Sequence, residues 1–172
     1  KARLKEQVKS LDLAIDKVFT RFEYYVYSEA PLSAEQQAAV TDFLTGDIKV
    51  KELQVAKHDV ELRILPRLGT ISPWASKATD LARNCGIEGI TRIERGVYMT
   101  VTPEKSFWSG SALKEGHLQE FIKLIHDRMS ETVVVGDEFD PQVLVVEREP
   151  KPLRTVAIIE EGITALEKAN VD

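Results

Sequence analysis

The stretch of residues 66–77 is the part of the sequence with the most groups that could bind a ligand. Ser72 followed by Pro73 is a typical helix start, in which the serine caps the helix and the proline occupies its first turn. The free N–H groups of a helix start attract anions. Hydroxyl, cationic and aromatic side chains surround this start, and the candidate residues are Arg67, Thr70, Ser72, Trp74, Ser76 and Lys77. The stretch therefore predicts either an anion-binding or contact site, or a well-capped helix with a tryptophan anchor.

Three more charged residues complete the set of candidates. Arg95 follows Glu94 on a predicted strand, where consecutive side chains face opposite ways, so the two cannot both lie in one core. The simpler interpretation places these charges on a solvated face or at an interface. His126 and Arg128 lie near a predicted helix end, where cations interact favourably with the helix dipole.

No complete active site is visible in the sequence. It contains no phosphate-binding glycine loop, no dinucleotide motif, no Ser-His-Asp order and no catalytic pair of carboxylates. The single cysteine excludes an intrachain disulfide, and the three histidines lack the spacing of a zinc site. We therefore expect no catalytic residue, no metal ligand and no cofactor among these residues.

Composition limits the class of protein and its partners. A chain of 172 residues that is 43% hydrophobic can form a full core. Its net charge of −5 argues against binding to nucleic acid or to an anionic membrane surface. No apolar run approaches the roughly 18 residues of a membrane span. We expect a cytoplasmic protein, and the start at Lys1 leads us to expect a fragment of a longer chain.

Helices and strands alternate along the chain. Helical spacing of apolar residues predicts helices at 2–17, 33–46, 74–85 and 118–129 and around 163–166, and alternation predicts strands at 19–28, 60–66, 90–101, 132–135, 143–147 and 154–159. These elements predict an α/β (α+β) fold, with helices covering one face of a small antiparallel sheet. Two halves, at about 19–66 and 90–135, have a similar element order.

Two interruptions refine this outline. The alternation of the third strand breaks at Arg95-Gly96, which predicts a β-bulge. Pro150 and Pro152 interrupt the apolar pieces near the C-terminus. We therefore place an N-terminal accessory domain at 1–150 and the start of a linker at 151–172.

Three segments resemble one enzyme family. Residues 67–86, 92–96 and 126–132 are similar to signatures of the N-terminal domain of the large, single-chain phosphoribosylformylglycinamidine synthase, also called formylglycinamide ribonucleotide amidotransferase. The aromatic strand at 22–27 fits this resemblance as well. Leu68 stands where many relatives have proline, which loosens the turn and does not change the assignment.

The resemblance implies a role in purine biosynthesis. The family makes formylglycinamidine ribonucleotide from formylglycinamide ribonucleotide, glutamine and ATP, with a synthetase domain that binds ATP and Mg²⁺ and a glutaminase domain with a catalytic triad. The N-terminal domain resembles a fused pair of the small dimeric subunit of the split enzyme. Neither the triad nor the nucleotide-binding core is present here, so we expect this chain alone to be inactive.

Two functions remain open at this point. The chain is either a scaffold between the synthetase and glutaminase domains, or a free-standing small-ligand or regulatory module that uses the 67–77 loop. An exposed apolar patch around Trp74 would favour the scaffold. A concave basic pocket formed by Arg67 and Lys77 would favour the ligand module. RNA binding would need aromatic motifs and positive charge that the sequence lacks.

Overall fold

The computed structural model describes residues 2–46, 48, 55–104, 115–145 and 152–171. The regular elements in chain order are α1 (Ala2–Ser10), β1 (Ile15–Ser28), α2 (Ala34–Thr45), β2 (Val60–Pro66), α3 (Pro73–Asn84), β3 (Ile90–Pro103), α4 (Glu115–Ile125), β4 (Glu131–Val135), a 3-10 helix (Pro141–Leu144), α5 (Ile158–Glu161) and α6 (Ile163–Val171).

The four strands form one antiparallel sheet in the order β1-β3-β2-β4. Its two halves have the same element order, β1-α2-β2 and β3-α4-β4, and α3 connects them. The predicted fold class and the similar order of the two halves are therefore confirmed. Whether the halves correspond to a fused pair of subunits stays a prediction, as does the domain boundary at 150.

Two hydrophobic clusters lie on one face of the sheet. The first joins α1 and α4 to the sheet and contains Val8, Leu13, Ile15, Leu62, Ile64, Met99, Val101, Leu118 and Phe121. The second joins α2 and α3 to the other end of β3 and contains Val40, Ala78, Ala82, Ile87, Ile90 and Ile93. Because alternate residues of a strand share a face, Ile93 and Met99 lie on the same side of β3, and Arg95 lies between the two clusters.

The opposite face is crossed by residues 136–144, which we call the strap. Arg63 donates from Nη1 to the carbonyl oxygen of Gly136 at 3.0 Å, and Arg92 donates from Nη1 to that of Leu144 at 3.0 Å. Leu144 is buried. Two arginines on neighbouring strands therefore fix the two ends of the strap to the sheet.

Tyrosines on the strap side of the sheet have raised pKa values. Burial, followed by a hydrogen bond to the Glu61 carboxylate, raises the pKa of Tyr98 to about 12. Burial also raises the pKa of Tyr27 to about 12, against an opposing effect of Arg92; its hydroxyl donates to the carbonyl oxygen of Pro141 at 2.6 Å.

These pKa values predict a loss of stability at alkaline pH. An unfolded tyrosine loses its proton near pH 10, whereas folded Tyr98 and Tyr27 keep theirs to about pH 12. The folded state binds more protons between these values, so this stability is complete below pH 10 and is lost as pH rises through 12. The midpoint of urea unfolding should fall between pH 9 and pH 11, and fall less for Tyr98→Phe. An equal fall in both proteins would contradict the assignment to Tyr98.

The first predicted helix, at 2–17, is too long. Helix α1 ends at Ser10, and the chain turns at Asp12, whose φ is +48°, a conformation that aspartate tolerates better than most residues. Leu13 and Ile15 are buried in the first cluster and belong to the turn and to the start of β1. Ile15 was part of the apolar spacing that predicted the helix, but its burial comes from the sheet.

Two predicted C-terminal strands are wrong. Residues 141–144 form a 3-10 helix, which Asp140 caps by accepting from the Gln142 N–H at 2.9 Å. No regular structure occurs at 152–157, and α5 begins at Ile158. The rest of the first predicted strand, at 146–147, lies outside the described residues. Short apolar runs do not distinguish a strand from another buried turn. The predicted final helix is confirmed by α6.

The predicted bulge at Arg95-Gly96 is also wrong. The register of β3 against β1 is continuous from Ile93, opposite Val26, to Gly96, opposite Glu23. A Cβ atom on Gly96 would lie 2.7 Å from Cδ2 of Leu65 and 3.2 Å from the carbonyl oxygen of Ile64. Glycine here marks a close approach of a neighbouring strand and its side chain.

Gly96→Ala is expected to destabilise the fold by about 1.5 kcal/mol, because an added methyl group in a filled space forces its neighbours to shift. The matched control is Gly116→Ala, near the start of α4, where an added Cβ meets no atom within 4 Å. Urea unfolding of both variants tests this. A Gly96→Ala protein as stable as the control would show that the strands accommodate the methyl group.

Candidate functional site

A cleft of about 530 Å³ opens between the two hydrophobic clusters. It is lined by Phe22, residues 64–67, residues 70–74, Arg95, Val97 and residues 129–131. The strand side chains form its floor, the start of α3 forms one wall, and the turn after α4 forms the other. We call it the Arg95 cleft.

Arg95 makes cation–π contacts with two aromatic rings in this cleft. Its Cζ atom lies 4.5 Å from the ring centre of Phe22 and 4.6 Å from that of Trp74. Tyr24 supports the tryptophan, with ring centres 5.8 Å apart. Within the described residues no carboxylate pairs with the Arg95 side chain. Cation–π contacts thus hold the guanidinium beside the two rings, while its N–H groups have no carboxylate partner among the described residues.

A second cation lies at the margin of the cleft. Arg67 is exposed, and its Nη1 atom makes only a long contact of 3.4 Å with the carbonyl oxygen of Met129. It too lacks a carboxylate partner in the part of the chain that the structure describes. Arg67 and Arg95 therefore bring two positive charges to this cleft, against the one carboxylate of Glu131, in a chain of net charge −5.

The rim of the cleft is apolar and open to solvent. Ile71 is 65% exposed, Met129 is 77% exposed, and more than half of Phe22 is accessible. Met129 was expected on the α4 stripe at 118–129, but α4 ends at Ile125. The Asp127 carboxylate then accepts from the Met129 N–H at 2.9 Å, and this bond lowers the pKa of Asp127. The resulting turn places Met129 on the rim.

Ser72 and Glu94 form a buried network at the start of α3. The Ser72 hydroxyl accepts from the Ala75 N–H at 3.0 Å, as predicted for a cap, and donates to Glu94 Oε1 at 2.7 Å. Arg92 donates from Nη2 to Glu94 Oε2 at 2.8 Å. The anion at this helix start is therefore the chain's own Glu94. A solvated location for Glu94 was wrong, because its side chain is fully buried.

Thr70 has a structural role in the wall. Its hydroxyl donates to the carbonyl oxygen of Arg67 at 2.6 Å, and its own carbonyl oxygen accepts from Arg92 at 2.8 Å. Like Ser72, it lines the cleft but uses its hydroxyl within the protein.

The remaining predicted residues do not line the Arg95 cleft. Lys77 lines a smaller pocket on the other side of Trp74, and Ser76 is exposed on α3 beside a third pocket. His126 Nδ1 lies 2.5 Å from the Ile122 carbonyl oxygen at the end of α4, and Arg128 is exposed nearby. The structure thus brings Arg67, Thr70, Ser72, Trp74 and Arg95 together but separates them from these four.

Sequence reasoning missed three residues of the site. Phe22 and Met129 were assigned to apolar stripes, and Ile71 carried no signal beyond its position before Ser72. Nothing local distinguishes Phe22 from a core residue.

The family to which the chain belongs follows from a comparison with models of known protein families. A family model described as the N-terminal region of formylglycinamide ribonucleotide amidotransferase matches residues 21–143. The chain belongs to this family. The match contains the Arg95 cleft and all three segments on which the resemblance rests, so the resemblance is confirmed. The formylglycinamide ribonucleotide amidotransferase family places the chain in an enzyme of purine biosynthesis.

The described residues of the amidotransferase domain contain neither a metal-ligand cluster nor a membrane-spanning helix. In that part of the chain, no group of three His, Cys, Asp or Glu side chains is arranged to hold a metal ion. No helix there combines the length and the apolar character needed to cross a bilayer.

Proposed function

We propose that this domain acts as an interdomain scaffold of the amidotransferase, with the synthetase and glutaminase domains as its partners, and that it supplies no catalytic group. The parent reaction is the conversion of formylglycinamide ribonucleotide, glutamine and ATP into formylglycinamidine ribonucleotide. In this proposal ATP and Mg²⁺ belong to the synthetase domain, as the family resemblance implies.

The open apolar rim of the Arg95 cleft carries the proposal. Ile71 and Met129 are both more than half exposed and lie on opposite walls beside Trp74. Contiguous apolar surface on a soluble domain is typical of a contact site. The alternative, a small-ligand module, needs Arg67 and Lys77 in one basic pocket, and these residues line different pockets.

The test uses the full-length amidotransferase with both rim residues replaced, Ile71→Ser and Met129→Ser. Burying one such side chain contributes about 1.5 kcal/mol or more, so we expect glutamine-dependent synthesis to fall by about tenfold or more. The separately produced domain should keep its unfolding midpoint, because both side chains are exposed, and should release neither glutamate from glutamine nor phosphate from ATP.

The matched control is Leu11→Ser, since Leu11 is 48% exposed and does not line the cleft. This variant should retain wild-type synthesis. Equal activity of the rim variant and the control would remove the scaffold role of the cleft.

A further inference from the structure

We infer that the Arg95 cleft receives an acidic, otherwise apolar segment of the partner domain, and that Arg95 is the receptor for its carboxylate. This inference rests on the proposed function, because it names the chemistry of the surface that the scaffold contacts.

Arg95 differs from the other arginines of the sheet. Arg63 donates to Glu23 at 3.2 Å, and Arg92 donates to Glu94 at 2.8 Å. The Arg95 guanidinium has two aromatic neighbours but no acceptor among the described residues. The rings hold its guanidinium in position, so little side-chain freedom is lost when an acceptor arrives.

The surroundings of the Arg95 guanidinium favour a carboxylate as its acceptor. Phe22 and Trp74 both lie close to the guanidinium, with their ring centres 4.5 Å and 4.6 Å from Cζ, so an anion would meet the N–H groups on the part of its edge that the rings leave open. Two parallel N–H groups at that edge match the two oxygens of a carboxylate. The apolar rim residues Ile71 and Met129 would then pack against the side chains next to that carboxylate.

A small phosphate ligand fits the cleft less well. Such a ligand needs several polar donors, yet the hydroxyls of Thr70 and Ser72 already donate within the protein. Glu131 also lines the cleft, and its carboxylate accepts from the Asp127 N–H at 2.8 Å. This negative charge disfavours a dianion more than a single carboxylate. Wide exposure of the rim also suits a polypeptide better than an enclosed small molecule.

The experiment maps what lies against the cleft in the full-length amidotransferase. A benzophenone amino acid at position 71 is photo-activated, and the cross-linked peptide is identified by mass spectrometry. We expect a peptide from outside residues 1–172 that contains Asp or Glu beside apolar residues. Arg95→Gln should lower the cross-link yield by about tenfold, the loss expected when a charged hydrogen-bond partner is removed.

Two further variants separate charge and geometry from folding. Arg95→Lys keeps the charge but not the paired N–H groups, so its yield should lie between wild type and Arg95→Gln. Arg83→Gln, on the exposed side of α3, should leave the yield unchanged. Unfolding midpoints of the separately produced domains check that each variant folds. If Arg95→Gln does not fold, the cross-link yields of Arg95→Lys and Arg83→Gln are compared instead. A lower yield for Arg95→Lys supports the inference, and equal yields overturn it.

The outcomes distinguish the inference from the function on which it rests. A cross-link to another domain that lacks Asp or Glu, or that Arg95→Gln and Arg95→Lys do not weaken, overturns the inference and leaves the scaffold in place. Cross-links only within residues 1–172, or none, overturn both. Saturable binding of inorganic phosphate to the domain, lost in Arg95→Gln, would also overturn the inference in favour of a small anion.

Discussion

Arg92→Met is expected to destabilise the domain by about 3 kcal/mol, because removal of one partner from a buried ion pair leaves an uncompensated charge. Arg92 Nη2 lies 2.8 Å from Oε2 of Glu94, whose side chain is fully buried. The same guanidinium donates to the carbonyl oxygens of Thr70 at 2.8 Å and Leu144 at 3.0 Å. The substitution therefore disturbs the start of α3 and the end of the strap together. Urea unfolding of the 172-residue chain measures the loss.

The matched control for Arg92 is an arginine in an exposed pair. Arg83 Nη1 lies 3.8 Å from Oδ1 of Asp80, and both side chains are more than half accessible. Arg83→Met should change the free energy of unfolding by less than about 0.5 kcal/mol. Adding Glu94→Leu to Arg92→Met should recover part of the stability, since it removes the unpaired charge. Similar midpoints for the two methionine variants would mean that Glu94 does not depend on Arg92.

Local sequence signals predicted the elements that depend on local physics. Helix α2 begins where Ser33 and Gln36 form a capping box, with the hydroxyl accepting from the Gln36 N–H at 3.2 Å. Strand β2 follows the alternation of Val60, Leu62 and Ile64 and ends at Pro66, as predicted. In each case a few neighbouring residues supply both the signal and the interaction that forms the element.

Features that depend on distant residues were not predictable in this way. The burial of Glu94 depends on Arg92 beside it and on Ser72, which is 22 residues earlier in the chain. Gly96 looked like a bulge because the reason for it, the side chain of Leu65, comes from another strand. A single sequence gives no sign of either contact.

The candidate site was predicted only in part, because it too depends on contacts between residues that are distant in the sequence. Arg67 and Trp74 were candidates from the 66–77 stretch and Arg95 was a separate candidate on a strand, and the cleft contains all three. Their arrangement was not predicted, because the cation–π contacts join Phe22 from β1, Arg95 from β3 and Trp74 from α3. Lys77 was chosen for its charge, but the helix carries it to the other side of Trp74.

Ser72→Ala is expected to cost more than the loss of an ordinary helix cap. A lost N-cap costs about 1 kcal/mol, and a buried charged acceptor that loses a donor adds about 1–2 kcal/mol, so we expect a total of about 2–3 kcal/mol. Both losses follow from one hydroxyl, which accepts from the Ala75 N–H and donates to Glu94 Oε1 at 2.7 Å. Urea unfolding at neutral pH measures the effect.

Ser33→Ala at the start of α2 separates these two contributions. Ser33 caps its helix through the Gln36 N–H in the same way, but it is exposed and binds no buried carboxylate. This variant should lose only about 1 kcal/mol. In a double-mutant cycle, Ser72→Ala combined with Glu94→Gln should lose less than the sum of the two single variants, because both remove the same contact. Equal losses at the two serines, together with strict additivity in the cycle, would mean that Ser72 acts as a cap alone. The anion at the start of α3 would then depend on Arg92 and the backbone.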